Sequence, residues 1–533
     1  MHRTIQSTLP VASWLACLWA MTGTVHGSSP QTAQQPNLLV IFADQLRSME
    51  LGCYGGDQIP TPNIDRLARE GVRFTNAIST YPLCSPFRAM LMTGNYPLKN
   101  GMVMNDHFLR NPTPCFAEAC KAAGYRTAYI GKWHLDGHGR TARIPRERWR
   151  GFEIWRTLEC THRYFQSDYY FQDEAKPRRW PQYDAVSQTD EACRLIGDML
   201  GEKPFCLFLS WGPPHDPYVA PDEYMDRFDP ARVRLRENVD DFTAAERLWN
   251  ECDTRLPEEF RKSRQRLLAG LRDPANAEIR NWYRGYYAAI TLLDDCMGRI
   301  LATLERRGEL DSTVIVFTSD HGDNLGSHRQ YGKDLPYEES ISIPFLVRYP
   351  PKIAPGVVTD ALLAPVDMMP TTLSLADVPC PDVDGKDISA AARGSDENKQ
   401  VALLLMRPYW LGTNWITNGT GPWRGVRTKR YTYARRSDNL KPWMLFDNQQ
   451  DPFQMHNLVT DPDHAALVKE LDAKTDELLK LAKDPENPLF FANLIQEERN
   501  ARGQPDRRHC FFPAFVEPGT DFEESAYRME KTQ

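Results

Sequence analysis

The sequence predicts an α/β fold: a mostly parallel central sheet flanked by helices, followed by a smaller C-terminal α+β subdomain. Short apolar runs rich in Val, Ile, Leu and Phe alternate with helical patterns, as in sheets covered on both faces. Four of the five clearest runs lead directly into polar, reactive side chains, which is where open α/β sheets gather ligands. Approaching residue 395, Pro, Asp and Gly accumulate and the pattern changes, which marks a boundary.

The chain opens with a weakly basic start, an apolar run from Leu9 to Met21, and small residues around Val25-His26-Gly27. This is the pattern of a secretory signal peptide over residues 1–27, and its run is short for a membrane span. No later run is longer, so no membrane span is expected in the mature chain. The five strand-like runs are NLLVIFAD (37–44), TAYIGKWH (127–134), FCLFLSW (205–211), TVIVFTSD (313–320) and PFLVRYP (344–350). The first four end at or just before Asp44, Lys132 with His134, His215, and Asp320 with His321. Residues 279–310 have helical periodicity and stop at Gly308. Beyond residue 395, WRGVRTKRYTYARR (423–436) alternates like an antiparallel strand, and residues 463–483 form an amphipathic helix.

Composition narrows the class. The 533 residues, 41% hydrophobic and 25% charged, suit a globular protein with one extended core and a satellite. A net charge of -7, with 64 basic residues set among 71 acidic ones, contains no basic stripe, and nucleic acid is excluded as a partner. Twelve cysteines in a chain of this length do not make a disulfide framework, and Cys206 in PFCLFL reads as a buried thiol. A single N-glycosylation sequon, at Asn418, favours a bacterial exported protein, periplasmic or extracellular.

Two adjacent pairs, Asp44-Gln45 and Asp320-His321, each end a predicted strand. Carboxylates from distant strands that meet at one point repel unless a cation joins them, so a divalent metal is expected. The mainly oxygen donors favour calcium, with magnesium as the alternative. The plainer explanation is that each pair caps a strand or helix; the repetition at strand ends favours the metal.

The stretch CSPFRAMLMTG (84–94) places Cys84 at a helix start, with Arg88 one turn on. It resembles the signature of the type I sulfatases, in which the cysteine is oxidised to formylglycine by a maturation enzyme. Further stretches resemble that family's landmarks in order: PNLLVIFADQ (36–45), TPNIDRLAREGVRFTNA (61–77), GYRTAYIGKWHL (124–135), GPPHDPY (212–218), TSDHGDNLGSH (318–328), YGKDLPYEES (331–340) and LFDNQQDPFQMHNL (445–458). The resemblance implies the alkaline phosphatase superfamily fold, with a catalytic domain over 28–395 and a C-terminal subdomain over 396–533.

It also implies roles. Asp44, Gln45, Asp320 and His321 hold the metal together with the modified Cys84. The aldehyde hydrate at position 84 is the nucleophile, beside Arg88. Lys132 orients it, His134 is the base that collapses the sulfated intermediate, and His215 with Lys333 binds sulfate and protonates the leaving oxygen. Many members carry Asp and Asn where this chain has Gln45 and His321, a departure that bears on metal preference. The implied reaction is hydrolysis of a sulfate ester, on a sulfated carbohydrate. Alternatives from the same chemistry are a phosphodiesterase or phosphonate monoester hydrolase; from a different class, a silent homologue that binds sulfated glycans. Residues 137–183 are rich in Arg, Trp, Tyr and His, and Arg150, Trp155, His162 and Tyr169 are candidates to line a leaving-group pocket.

Overall fold

Fourteen strands form two sheets in the computed structural model, which describes residues 35–110, 114–199, 203–241, 273, 275–395, 401–406, 422–437 and 439–486. The signal-peptide segment 1–27 and Asn418 lie outside the described residues. The strands are β1 (Asn37–Asp44), β2 (Val72–Ala77), β3 (Arg126–Lys132), β4 (Ile154–Leu158), β5 (Asp168–Phe171), β6 (Arg178–Arg179), β7 (Phe205–Pro214), β8 (Thr313–Ser319), β9 (Phe345–Arg348), β10 (Val357–Leu363), β11 (Val401–Met406), β12 (Trp423–Thr428), β13 (Tyr431–Arg436) and β14 (Pro442–Asp447). The first ten make a mostly parallel sheet in the order β10-β2-β9-β8-β1-β7-β3-β4-β5-β6.

At its centre β1 pairs in parallel with β7 and β8, and β3 pairs in parallel with β7. All eight residues of β1 are buried. Leu39, Ile41 and Ala43 pack into the core on one face with Leu207, Leu209, Ile315 and Phe317. Leu38, Val40 and Phe42 pack on the other with Phe208, Val314 and Val316. The continuous apolar runs are thus the mark of a sheet buried on both faces. The run 344–350 contains β9, which is antiparallel to both β8 and β2; burial selects its side chains and is indifferent to its direction.

The parallel strands deliver their C-terminal ends to one edge. There the helix Cys84–Thr93, buried at every position, enters from the extended residue Leu83 and stops at Gly94, whose φ of 63° places it in the left-handed region. Pro86 sits in the first turn, where its missing N–H is not needed. Gly131 lets β3 lie close to β7: a Cβ there would meet the Ser210 carbonyl oxygen at 2.0 Å.

The helix expected over 279–310 spans Ala277–Arg307 and ends at Gly308. In the smaller sheet β11-β12-β13-β14, all pairings are antiparallel. The stretch 423–436 is a hairpin rather than one strand. Its turn, Lys429-Arg430, has no Gly, Pro or Asn signal; the Thr428 hydroxyl accepts from the Tyr431 and Arg430 N–H groups instead. The helix expected over 463–483 is Ala465–Leu481. Leu404, Trp423 and Phe446 of the small sheet share one apolar cluster with Leu83, Met90 and Tyr337. Trp423 Nε1 donates to the Asp334 carbonyl at 2.9 Å, next to Lys333.

Candidate active site

Cys84, at the start of its helix and 2% exposed, is the hub of a buried polar cluster at the C-terminal ends of β1, β3, β7 and β8. Its Sγ lies 3.7 Å from Asp44 Oδ1, 3.3 Å from His321 Nε2, and 3.8 Å from each of Lys132 Nζ and Lys333 Nζ. Burial alone would raise the thiol, but Lys132, Lys333 and His321 prevail and hold it well below the usual thiol range.

Arg88, one turn along, is buried beneath this cluster. Its Nη2 donates to Asp44 Oδ2 (3.1 Å) and Asp320 Oδ2 (3.0 Å), and its Nη1 to the Lys132 carbonyl (2.8 Å) and Ser210 Oγ (2.7 Å). It ties three strand ends together. Lys132 Nζ adds a 2.6 Å bond to Asp44 Oδ2. Burial and Cys84 push Asp44 up, yet Lys132, His215 and Arg88 outweigh them and keep it ionised. Asp320 ends above the ordinary carboxylate range, because burial and Asp44 outweigh His321 and Arg88.

These donors fit a divalent cation. One ligand atom from each of Asp44, Cys84, Asp320 and His321 lies within 4.8 Å of the other three. His321 Nδ1 donates to the Gly322 carbonyl at 3.0 Å, which turns Nε2 towards the two carboxylates, 3.5 and 3.7 Å away. Gln45 is held in the left-handed region (φ 69°) with its backbone N–H on Asp320 Oδ1 at 3.0 Å. Its amide Nε2 donates to Asp323 Oδ2 (2.6 Å), so its Oε1 faces inward, where Lys333 Nζ donates to it at 2.6 Å.

Two histidines flank the hub. His134 Nε2 is 3.2 Å from Asp106 Oδ1, and Arg140 braces the same carboxylate at 3.1 Å. Burial disfavours a charge on His134, but Cys160, Asp106 and Cys84 raise it to about 9. His215 Nδ1 pairs with Asp216 Oδ1 at 3.0 Å, and its Nε2 lies 2.7 Å from Lys333 Nζ. Burial and Lys333 oppose its charge, whereas Asp216 and Asp44 raise it to about 10.

The profile of the sulfatase family matches residues 36–378 of the chain. The chain belongs to the sulfatase family. It is a sulfuric ester hydrolase, a type I sulfatase with the alkaline phosphatase superfamily fold. A second profile, N-sulphoglucosamine sulphohydrolase C-terminal, matches residues 326–482. This sulfatase is 36% identical over 453 residues to an ulvan-active sulfatase of Formosa agariphila, covering 84% of this chain and 81% of that protein. It resembles a solved structure described as complexed with its substrate D-glucosamine-2-N,6-O-disulfate, with a TM-score of 0.72 and 26% identity, covering 85% of this chain and 99% of the other. A phosphonate monoester hydrolase from Silicibacter pomeroyi aligns with a TM-score of 0.68 and 25% identity, covering 85% and 96%.

Cys84 and the nine other residues expected in the catalytic and metal site lie together. The pocket candidates separate. Trp155 is buried and stacks on Trp149 at 5.0 Å. Tyr169 stacks on Trp180 at 3.7 Å, and Arg150 pairs with Glu118 at 3.0 Å. His162 touches one of the ten, its ring stacked on His215 at 4.2 Å. Sequence reasoning missed Asp106, Arg140, Ser210, Asp216 and Asp323. Asp216 and Asp323 stand inside the quoted stretches GPPHDPY and TSDHGDNLGSH; Asp106, from an irregular segment, carried no signal.

Proposed function

We propose that this sulfatase is exported and hydrolyses a sulfate ester of a carbohydrate, using formylglycine formed from Cys84 and a divalent cation held by Asp44, Gln45, residue 84, Asp320 and His321. The observation that carries the reading is the position of Cys84 Sγ, within 3.8 Å of two lysine ammoniums and beside two carboxylates and His321. When present, the oxidised side chain supplies a nucleophilic hydroxyl and the cation supplies the charge that makes it acidic. Calcium suits the donor set, with magnesium as the alternative.

The chain's own residues do the rest. Lys132, bonded to Asp44 and close to position 84, orients the nucleophile, and Lys333 with His215 binds the sulfate oxygens as the ester enters. His134, fixed by Asp106 and Arg140, takes a proton from residue 84 in its neutral form, which oxidation of Cys84 favours by removing one of the groups that raise it. His215, fixed by Asp216, delivers one to the departing alcohol oxygen. Residues 28–395 are assigned as the catalytic domain and 396–533 as the C-terminal subdomain. The carbohydrate assignment draws on the relatives described as acting on ulvan and on a glucosamine disulfate. Export rests on the N-terminal segment, with a periplasmic or extracellular destination. No helix among the described residues is long and apolar enough to cross a membrane.

The likeness to a phosphonate monoester hydrolase gives a second reading, phosphonate or phosphodiester hydrolysis at the same site. Enzyme co-expressed with a formylglycine-generating enzyme, checked by peptide mass spectrometry for an aldehyde at position 84, is assayed on 4-nitrophenyl sulfate and phenylphosphonate esters in parallel. Preference for the sulfate supports the first reading, and preference for the phosphonate replaces it. Full activity from chains carrying only the thiol would refute the nucleophile assignment.

A further inference from the structure

Beside the site lies a cavity of about 520 Å³, lined by Asp216, Tyr218, Asn281, Trp282, Arg284 and Tyr331 among others. Its volume is in the range of small-molecule sites and exceeds a single sugar ring. Three of its walls are aromatic and none is fully buried. Trp282 and Tyr331 meet edge to face at 5.2 Å, with Tyr218 at 6.2 and 6.3 Å from them. Half-buried aromatic side chains that line a cavity are suited to the apolar faces of a pyranose ring. Asn281 and Arg284, from the same long helix, supply hydrogen-bond groups at the cavity wall.

The cavity is one side chain removed from the chemistry at three points. Asp216 forms part of its wall and pairs with His215. The Tyr218 hydroxyl donates at 2.7 Å to Asp323, which also accepts from Gln45. Tyr331 lies two residues before Lys333 and interacts with Asp216. We propose that this cavity is a sugar subsite, in which Trp282 stacks on the pyranose that carries the scissile sulfate ester and Tyr331, edge to face with Trp282, closes against the rim of that ring. The proposal rests on the sulfatase reading of the site. It places the leaving-group oxygen near His215 through the Asp216 side of the ring. It also names Trp282 as a specificity-determining residue outside the motif stretches.

The test compares the unsubstituted enzyme, Trp282→Ala and Trp282→Phe on 4-nitrophenyl sulfate and on sulfated oligosaccharides prepared from ulvan and from heparin. The expected result is that Trp282→Ala lowers the ratio of oligosaccharide to aryl sulfate kcat/KM by about ten-fold, while Trp282→Phe retains most of it. Calorimetry with Cys84→Ala protein should show oligosaccharide binding that weakens when Trp282→Ala is added. An unchanged ratio, or equal losses on both substrates with a lower melting temperature, overturns the subsite. Aryl sulfate turnover without oligosaccharide binding also overturns it and leaves the sulfatase reading standing. Trp282-dependent oligosaccharide binding by an enzyme that cleaves no sulfate ester supports the subsite and removes the sulfatase reading.

Discussion

Lys333 Nζ stands 2.7 Å from His215 Nε2. Nearby anions draw both groups towards their protonated forms, but a hydrogen bond of that length between two basic groups holds one proton, so one partner donates and the other accepts. The pair therefore keeps a transferable proton beside Cys84, and Asp216 fixes the ring by its other nitrogen. If this proton goes to the departing oxygen, His215→Ala slows esters of poor leaving groups, such as sugar alcohols, far more than 4-nitrophenyl sulfate, which departs without one. Single-turnover rates on both decide it; equal losses would make His215 a sulfate-binding residue.

Alkaline pH offers a separate handle on the same pair. His215 is drawn up to about 10, and an acid works below its pKa, so kcat/KM holds through neutral pH and falls as pH rises past that value. Asp216→Asn removes an anion that favours the protonated ring, so the alkaline limb should move to lower pH by about one unit. A limb that stays in place shows that another group controls it.

Arg88 makes its four contacts with protein atoms, two of them buried carboxylates. Arg88→Met leaves Asp44 and Asp320 without that guanidinium, an imbalance that costs about 3–5 kcal/mol. The variant should melt at a clearly lower temperature and lose turnover. Arg88→Lys should not rescue it, because one ammonium cannot reproduce the fork that spans both carboxylates. A melting temperature equal to that of the parent would contradict the bracing role.

Chelation with EDTA should abolish turnover, and added calcium should restore it. Asp320→Asn should lower both metal content and activity, as burial and Asp44 outweigh the cations around Asp320, whereas at Asp44 the cations prevail. Elemental analysis of active enzyme checks this directly, and active protein free of divalent metal would refute the cation.

Much of this site could be read in the chain because the sheet's geometry is written locally. Asp44, Lys132 and Asp320 end or immediately follow strands whose apolar runs are continuous, and parallel strands bring such ends together. The direction of β9 could not be read that way, since an apolar run is the same in either sense. Asp106 reaches His134 from an irregular segment with no periodicity, and only tertiary packing makes that pair. Trp155 misled as a pocket candidate for a related reason. A tryptophan in a core and one at a sugar site look alike until their neighbours are known, and its neighbours are Trp133 and Trp149.

The bond from Trp423 to the carbonyl of Asp334 spans 89 positions of the chain. Lys333 is therefore seated by a strand made long after Cys84 and every other site residue has been synthesised. A chain that lacks β12 and the strands after it leaves the segment carrying Lys333 without that anchor, so its turnover should fall even with position 84 oxidised.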